Sequence, residues 1–192
     1  MTEKQRCPWL NLRNSEYVEY HDQEWGVPVH NDQKHFELLC LEGAQAGLSW
    51  ETILKKRITY QEVFKNFDPY VVSKFSDDYL NKILKNPGIV RNKLKVFSVR
   101  KNARAFLAIQ KEFGSFDEYI WAFSERKIIY NKFKSLDQYP AKTPLSEVIS
   151  KDLKKRGFSF VGPTIIYAYL QASGIVNDHS TNCFLSPLNK IR

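Results

Sequence analysis

The stretch Lys154-Lys155-Arg156-Gly157-Phe158-Ser159-Phe160-Val161-Gly162-Pro163-Thr164-Ile165 decides the fold. A basic helix end runs into a tight turn with a glycine at each side. Phe158, Phe160 and Val161 inside the turn can wedge between two helices. Pro163 follows at a favoured first helical position. Such a turn leaves unpaired backbone N–H groups at the start of the second helix, where the helix dipole is positive and a phosphate can bind. The same residues also suit a plain helix–helix corner, with glycine for turn geometry and Lys/Arg complementing a helix C-terminus. Both readings stand on the local sequence.

Working outward, the chain reads as helices throughout. Thr143 caps a helix from Pro144 to Arg156, and another runs from Pro163 to about Ala172. Upstream, Asn92 to Phe113 is the longest helix. Its Val96, Val99, Ala103 and Phe106 repeat at helical spacing and predict a core-facing stripe. Asn14 or Ser15 caps a helix over Tyr17 to Trp25, closed by Gly26 and Pro28. Asp32 is expected to cap the next, which carries Phe36, Leu39 and Leu41 toward Gly43 and Gly47. Ser49 caps a third through Trp50, Ile53 and Leu54 into Lys55-Lys56-Arg57. Short helices are expected after Pro69, over Tyr79 to Lys85, and over Phe116 to Phe123. Ser124 to Pro144 reads as loop or short irregular pieces, and no run alternates well enough for a sheet. The class is all-α, a single unit over residues 1–192 with two helical lobes.

The chain has 192 residues, enough for a substantial core. With 29 Lys plus Arg against 21 Asp plus Glu, its net charge of +8 favours an anionic partner. Three scattered cysteines exclude a disulfide framework and point to a reducing, cytoplasmic setting. No signal peptide or membrane-length apolar run is expected.

Cys7 and His21 stand near one end, and His179 and Cys183 near the other. Two Cys and two His make a closed donor set for structural zinc, and the four-residue step from His179 to Cys183 lets both face one ion. The pairs are more than 150 residues apart, so spacing alone is a weak signal, and an unremarkable His with a buried Cys is the common outcome of such a pattern.

Several longer blocks carry a resemblance. Cys7-Pro8-Trp9, Tyr17 through Pro28 (YVEYHDQEWGVP), Leu41 through Trp50 (LEGAQAGLSW), Lys55-Lys56-Arg57, Gly88-Ile89-Val90-Arg91, Asn102-Ala103-Arg104, Lys154 to Gly162 and Val176-Asn177-Asp178-His179 come in family order. Together they resemble DNA-3-methyladenine glycosylase, type I, over about residues 7 to 183. The resemblance implies the helix-hairpin-helix glycosylase fold, with one structural Zn2+ held by Cys7, His21, His179 and Cys183 joining the terminal segments. It also implies a monofunctional glycosylase that hydrolyses the N-glycosidic bond of 3-methyladenine in double-stranded alkylated DNA and leaves an abasic site.

For the site, the resemblance implies Glu42 as the catalytic carboxylate, with Tyr20 hydrogen-bonding the flipped base. Trp50 and Tyr17 would stack on it and Trp9 close the pocket, with Trp25 a further candidate. Gly47 and Leu48 would fill the gap left in the duplex. Lys155, Arg156, Phe160 and Gly162 would meet DNA at the hairpin, with Lys55, Lys56, Arg57 and Lys154 as further phosphate candidates. A cationic base suits aromatic faces and a carboxylate, and it must leave the stack to be reached. The protein is expected to be a cytoplasmic monomer, nucleoid-associated when on DNA. Two departures stand out: Pro163 after Gly162, and Phe184-Leu185-Ser186-Pro187 where relatives are often richer in cysteine. The alternatives are a non-catalytic zinc-stapled DNA-binding module, a metallohydrolase, or a glycosylase of broader alkyl-purine range.

Overall fold

The structure is a computed structural model, and it describes residues 4–187. Helix α1 spans Ser15–Gln23 and is capped by Asn14, whose side chain accepts from the Tyr17 N–H. Helix α2 spans Asp32–Gln45. Its cap is Asn31, not Asp32 as expected, because the capping residue must keep an extended backbone to reach the third N–H. Asn31 has φ −117° and ψ 121°, and Asp32 is already helical. The Asp32 carboxylate instead accepts from the N–H groups of Phe116 and Asp117 at 2.8 and 2.9 Å. It thereby fixes the start of α8, Phe116–Ala122.

Helix α3 is a short turn, Trp50–Leu54, capped by Ser49. Helix α4, Arg57–Val63, was not separable from it in the sequence. No capping side chain marks its start at Lys56, so the break leaves no signal to read. Helix α5 is Pro69–Ser73, α6 is Asp77–Ile83 and α7 is Lys93–Phe113. The expected stripe of α7, Val96, Val99, Ala103 and Phe106, is buried. Helix α2 is buried from His35 through Ala44, so it lies at the centre rather than on one face of the core. The rings of Phe36, Phe106 and Phe116 join α2, α7 and α8, with centroids 5.1 and 4.2 Å apart.

The segment that reads as irregular contains β1, Ile129–Tyr130, which pairs in parallel with β2, Val176–Asn177. The chain therefore has a small sheet where none was expected. Two residues per strand offer no alternation to detect. The pairing matters because it lays residues 131–141 beside the C-terminal segment that carries His179 and Cys183.

Helix α9, Pro144–Lys155, and α10, Pro163–Ala172, flank the decisive turn. Gly157 takes φ +93°, a conformation that suits glycine. Phe158 and Val161 are buried as wedges. The Ser150 hydroxyl donates to the Val161 carbonyl at 2.6 Å. From α7, Asn102 clamps the tip: it accepts from the Ser159 N–H at 2.8 Å and donates to the Ser159 carbonyl at 2.9 Å. Helix α2 meets the tip at Gly43, where an added Cβ would stand 3.2 Å from the Phe160 Cβ. Asn102→Ala removes both clamp hydrogen bonds from a buried site. It should cost about 2 kcal/mol, roughly 6 °C in Tm by thermal unfolding; an unchanged Tm would mean that the clamp adds nothing.

Among the described residues, no helix is long and apolar enough to cross a membrane.

Candidate active site and metal cluster

Helices α1, α2, α3 and α10 converge, with the segments that carry Trp9 and Trp25, on a cavity of about 300 Å3. Helix α1 presents Tyr17 and Tyr20 from successive turns of one face. The last turn of α2 presents Glu42, and the first residue of α3 presents Trp50. Trp9 and Trp25 complete the aromatic side. Every residue expected to hold the base thus lines one cavity. The bend that makes this possible is residues 46–49. Gly47 takes φ +78° there, and Lys95 of α7 donates to the carbonyls of Ala44 and Ala46 at 2.8 and 2.6 Å. Those are carbonyls that a helix C-terminus leaves unpaired.

The aromatic rings form a continuous wall. Tyr20 meets Trp50 with centroids 5.3 Å apart, Tyr17 meets Trp9 at 5.4 Å, and Trp9 meets Trp25 at 4.7 Å. Three polar atoms in this wall are buried without a hydrogen-bond partner among the described residues: Glu42 Oε2, Trp9 Nε1 and Trp50 Nε1. Buried polar atoms are normally paired, so a cluster of unpaired ones around a cavity marks a place for a polar ligand. Burial alone pushes the Glu42 carboxyl up to about 8. Tyr17 is pushed up to about 12 by burial, with Glu51 and Glu42 adding to it. Tyr20, fully buried, is held well above the ordinary phenol value by burial and then by Glu42. Both hydroxyls therefore keep their protons and can donate.

Part of the site was missed from the sequence. Leu136, Tyr139, Pro140 and Ala141 come from the irregular segment. Thr164, Tyr167, Ala168 and Gln171 line the cavity from α10. The α10 residues had a signal: 164, 167, 168 and 171 share one helical face, and Thr164, Tyr167 and Gln171 place polar atoms on it.

Other candidates are engaged elsewhere. Glu24 shares a face with the tyrosines in sequence, but it forms a bidentate pair with Arg57 at 2.8 Å. Arg57 also donates to Glu37 at 2.8 Å, so it serves a partly buried ion cluster rather than an open phosphate. Lys56 donates to the Pro87 carbonyl. Arg156 is tied to Glu112 at 2.7 Å and Asp152 at 2.6 Å and lies over the rings of Phe113 and Tyr119. Lys155 and Lys154 are exposed, and so are Gly47 and Leu48.

Behind the aromatic wall, Cys7, His21, His179 and Cys183 bring one ligand atom each within 4.8 Å of one another, all buried. The sequence separation of their pairs is bridged by packing of both ends against Trp25. Cys7 Sγ and Cys183 Sγ each lie 3.5 Å from His179 Nδ1, and Cys183 Sγ lies 3.6 Å from His21 Nε2. A tetrahedral ion with Zn–S of about 2.3 Å and Zn–N of about 2.0 Å requires S···N edges of about 3.5 Å. The far ring nitrogens are held in the matching tautomers. His21 Nδ1 donates to Asp22, itself paired with Arg6, and His179 Nε2 donates to the Trp25 carbonyl at 3.1 Å. The buried group can hold a metal ion. Gly26, with φ +78°, lets the chain pass: a Cβ there would stand 3.1 Å from His179 Nε2.

The sequence model of the methyladenine glycosylase family matches residues 9–186. The chain is 46% identical over 178 residues to DNA-3-methyladenine glycosylase of Haemophilus influenzae, covering 93% of this chain and 96% of that protein. A crystal structure of 3-methyladenine DNA glycosylase I superposes with a TM-score of 0.92 at 45% identity, over 95% of this chain and 100% of the other. A structure addressing 3-methyladenine recognition by the Staphylococcus aureus enzyme matches with a TM-score of 0.89 at 32% identity, over 91% and 93% of the two chains.

Proposed function

The chain belongs to the methyladenine glycosylase family, and on that premise we propose that its cavity receives a 3-methyladenine flipped out of DNA and frees it as the intact base. The protein is a DNA-3-methyladenine glycosylase of base-excision repair. The observation that carries the assignment of the site is Glu42: a buried carboxyl with an unpaired oxygen at the edge of an aromatic cavity. N3-methylation makes the base in DNA a cation. Aromatic faces attract it, and a carboxylate beside it stabilises its charge. Trp50 and Tyr17 supply the faces, Trp9 closes the cavity, and the Tyr20 hydroxyl hydrogen-bonds the base.

In the reaction, the C1′–N9 bond breaks and its electron pair neutralises the base. A water oxygen bonds to C1′ and gives up a proton, leaving an abasic site. Asp178 lies in the region where related enzymes carry a catalytic Asp, but its oxygens are taken. It accepts from Asn131 and Gln171, each at 2.7 Å, and from the Tyr167 hydroxyl. Selection therefore rests on binding a base already disposed to leave, and Glu42 is the charge that recognises it. The enzyme is monofunctional. A duplex with one 3-methyladenine should acquire an alkali-labile site with its strand unbroken. A borohydride-trapped adduct would contradict this.

The α9–α10 turn acts as a helix-hairpin-helix grip, with the N–H groups at the start of α10 facing a phosphate and Lys155 adding charge. Phe160 and Gly162 shape its tip. Arg156, held by Glu112 and Asp152, fixes the end of α9 and is the weakest of the DNA-contact candidates. Gly47 and Leu48 enter the duplex where the base has left. Leu48→Gly should lower kcat/KM on duplex DNA about tenfold, by loss of one apolar wedge, with the Kd for free 3-methyladenine unchanged. Equal loss in both measurements would place Leu48 in the pocket instead. Zinc held by Cys7, His21, His179 and Cys183 is a structural tie between the two ends of the chain, since four protein ligands close its coordination.

A further inference from the structure

Asp178 is fully buried, does not line the cavity, and organises the side chains that do. Its Oδ2 accepts from Gln171 Nε2 at 2.7 Å and from the Tyr167 hydroxyl. Its main-chain carbonyl accepts from the Tyr139 hydroxyl at 2.9 Å. Tyr139, Tyr167 and Gln171 all line the cavity. A carboxylate offers acceptors only, so an amide that reaches it must do so through its NH2 group. This fixes the orientation of the Gln171 amide: one of its two N–H groups is spent on Asp178, and its carbonyl Oε1 is free to accept from a ligand. A tyrosine that has given away its one proton likewise presents only lone pairs. Gln171 Oε1 and the Tyr139 and Tyr167 hydroxyl oxygens are therefore acceptors along the cavity, which also holds two donors without a partner among the described residues, Trp9 Nε1 and Trp50 Nε1.

We propose that Asp178 is a positioning residue that makes Gln171, Tyr167 and Tyr139 a wall of hydrogen-bond acceptor oxygens along the cavity, with Gln171 Oε1 as its specificity-determining atom. That wall selects a purine bearing an exocyclic amine over one bearing an oxo group. The proposal rests on the glycosylase reading above. An adenine amine donates to such a wall. A guanine O6 would set its lone pairs against the carbonyl and leave both oxygens without a donor, which is a costly mismatch in a closed site. A cationic base also gains from carbonyl and hydroxyl oxygens directed at it.

DNA treated with a methylating agent carries both 3-methyladenine and 3-methylguanine. The ratio of their release rates from one digest is therefore independent of how much protein is active. Wild-type protein should release 3-methyladenine faster. Gln171→Met keeps the shape and removes the acceptor. Asp178→Asn offers the amide a donor, so that Gln171 can turn over and present its NH2 group. In both variants the ratio should fall about tenfold, the worth of one hydrogen bond to a charged partner, with the loss in 3-methyladenine. Tyr167→Phe should lower the ratio less. Tm and metal content are followed alongside, because Asp178 adjoins His179. If Asp178→Asn fails to fold, Gln171→Met and Tyr167→Phe decide. An unchanged ratio in Gln171→Met, even with slower release of both bases, overturns the proposal, since a merely structural role slows both alike. Wild-type protein that releases neither base would overturn the glycosylase reading and the proposal with it.

Discussion

Glu42→Gln should cut kcat/KM for 3-methyladenine release about a hundredfold and at the same time raise Tm above pH 8. The two effects have one cause. Glu42 is buried with no cationic partner among the described residues, and burial pushes its carboxyl from the usual 4.5 up to about 8. The folded protein thus holds this proton more tightly than the unfolded chain. The associated stability is fully present below pH 4.5 and is lost as pH rises through about 8. Each pH unit between those values costs about 1.4 kcal/mol, so the ionised form costs the fold on the order of 5 kcal/mol. Glutamine fills the same space and never ionises. The Tm gap between variant and wild type should widen from pH 5 to pH 9. Activity runs the opposite way. The cationic lesion wants the carboxylate, so wild-type kcat/KM should rise with pH and level off above about pH 8, and the variant should show no such rise. Losing an ion-assisted hydrogen bond inside a closed cavity is worth about 3 kcal/mol, hence the hundredfold. Most of it should appear in KM, because the base is cationic before the bond breaks. A variant with unchanged kcat/KM would remove Glu42 from recognition.

The second large effect concerns the metal. Purified protein should carry one zinc per chain by elemental analysis, and His179→Ala or Cys183→Ser should carry none. An ion bound there would tie residue 7 to residue 183, and its binding energy would contribute directly to folding. Losing it should cost at least about 5 kcal/mol, roughly 15 °C in Tm. The cavity should suffer as well. Trp9 packs on His21 with centroids 5.3 Å apart, and Trp25 packs on His179 at 4.7 Å. His21 and His179 therefore buttress the aromatic wall of the cavity that Trp9 and Tyr17 line. A zinc-free variant with wild-type Tm would show that the cluster is not a staple. Chelation that stops base release while Tm is unchanged would favour the metallohydrolase reading instead.

How much of this was legible in the sequence differed from element to element. Helices with a capping side chain and a closing Gly or Pro were readable, as α1, α7 and α9 show. Asp32 misled because Asn31 and Asp32 are both good caps, and only the packing of α8 decides which one turns inward. Helix α4 was hidden because nothing caps it. The strand pair was invisible because two-residue strands have no period, yet it positions the segment that supplies Tyr139 and Leu136. The metal cluster and the pocket trio of Tyr20, Glu42 and Trp50 were legible only through the resemblance. No local pattern says that residues 7 and 183, or 20 and 50, will meet. Arg57 and Arg156 show the reverse limit. As sequence they are basic candidates for phosphate, but each is held by carboxylates that packing brings from other elements. Tyr167 and Gln171 were written on one face of α10, and only Asp178 shows which of their atoms remain for a ligand.

The central claim is that the Glu42 cavity recognises a flipped, cationic base and frees it intact. Its most direct test is chromatography of the bases released from alkylated DNA by wild-type protein and by folded Glu42→Gln. The account predicts free 3-methyladenine from the wild type and about a hundredfold less from the variant at equal enzyme. Equal release by both, or no intact 3-methyladenine from either, would contradict it.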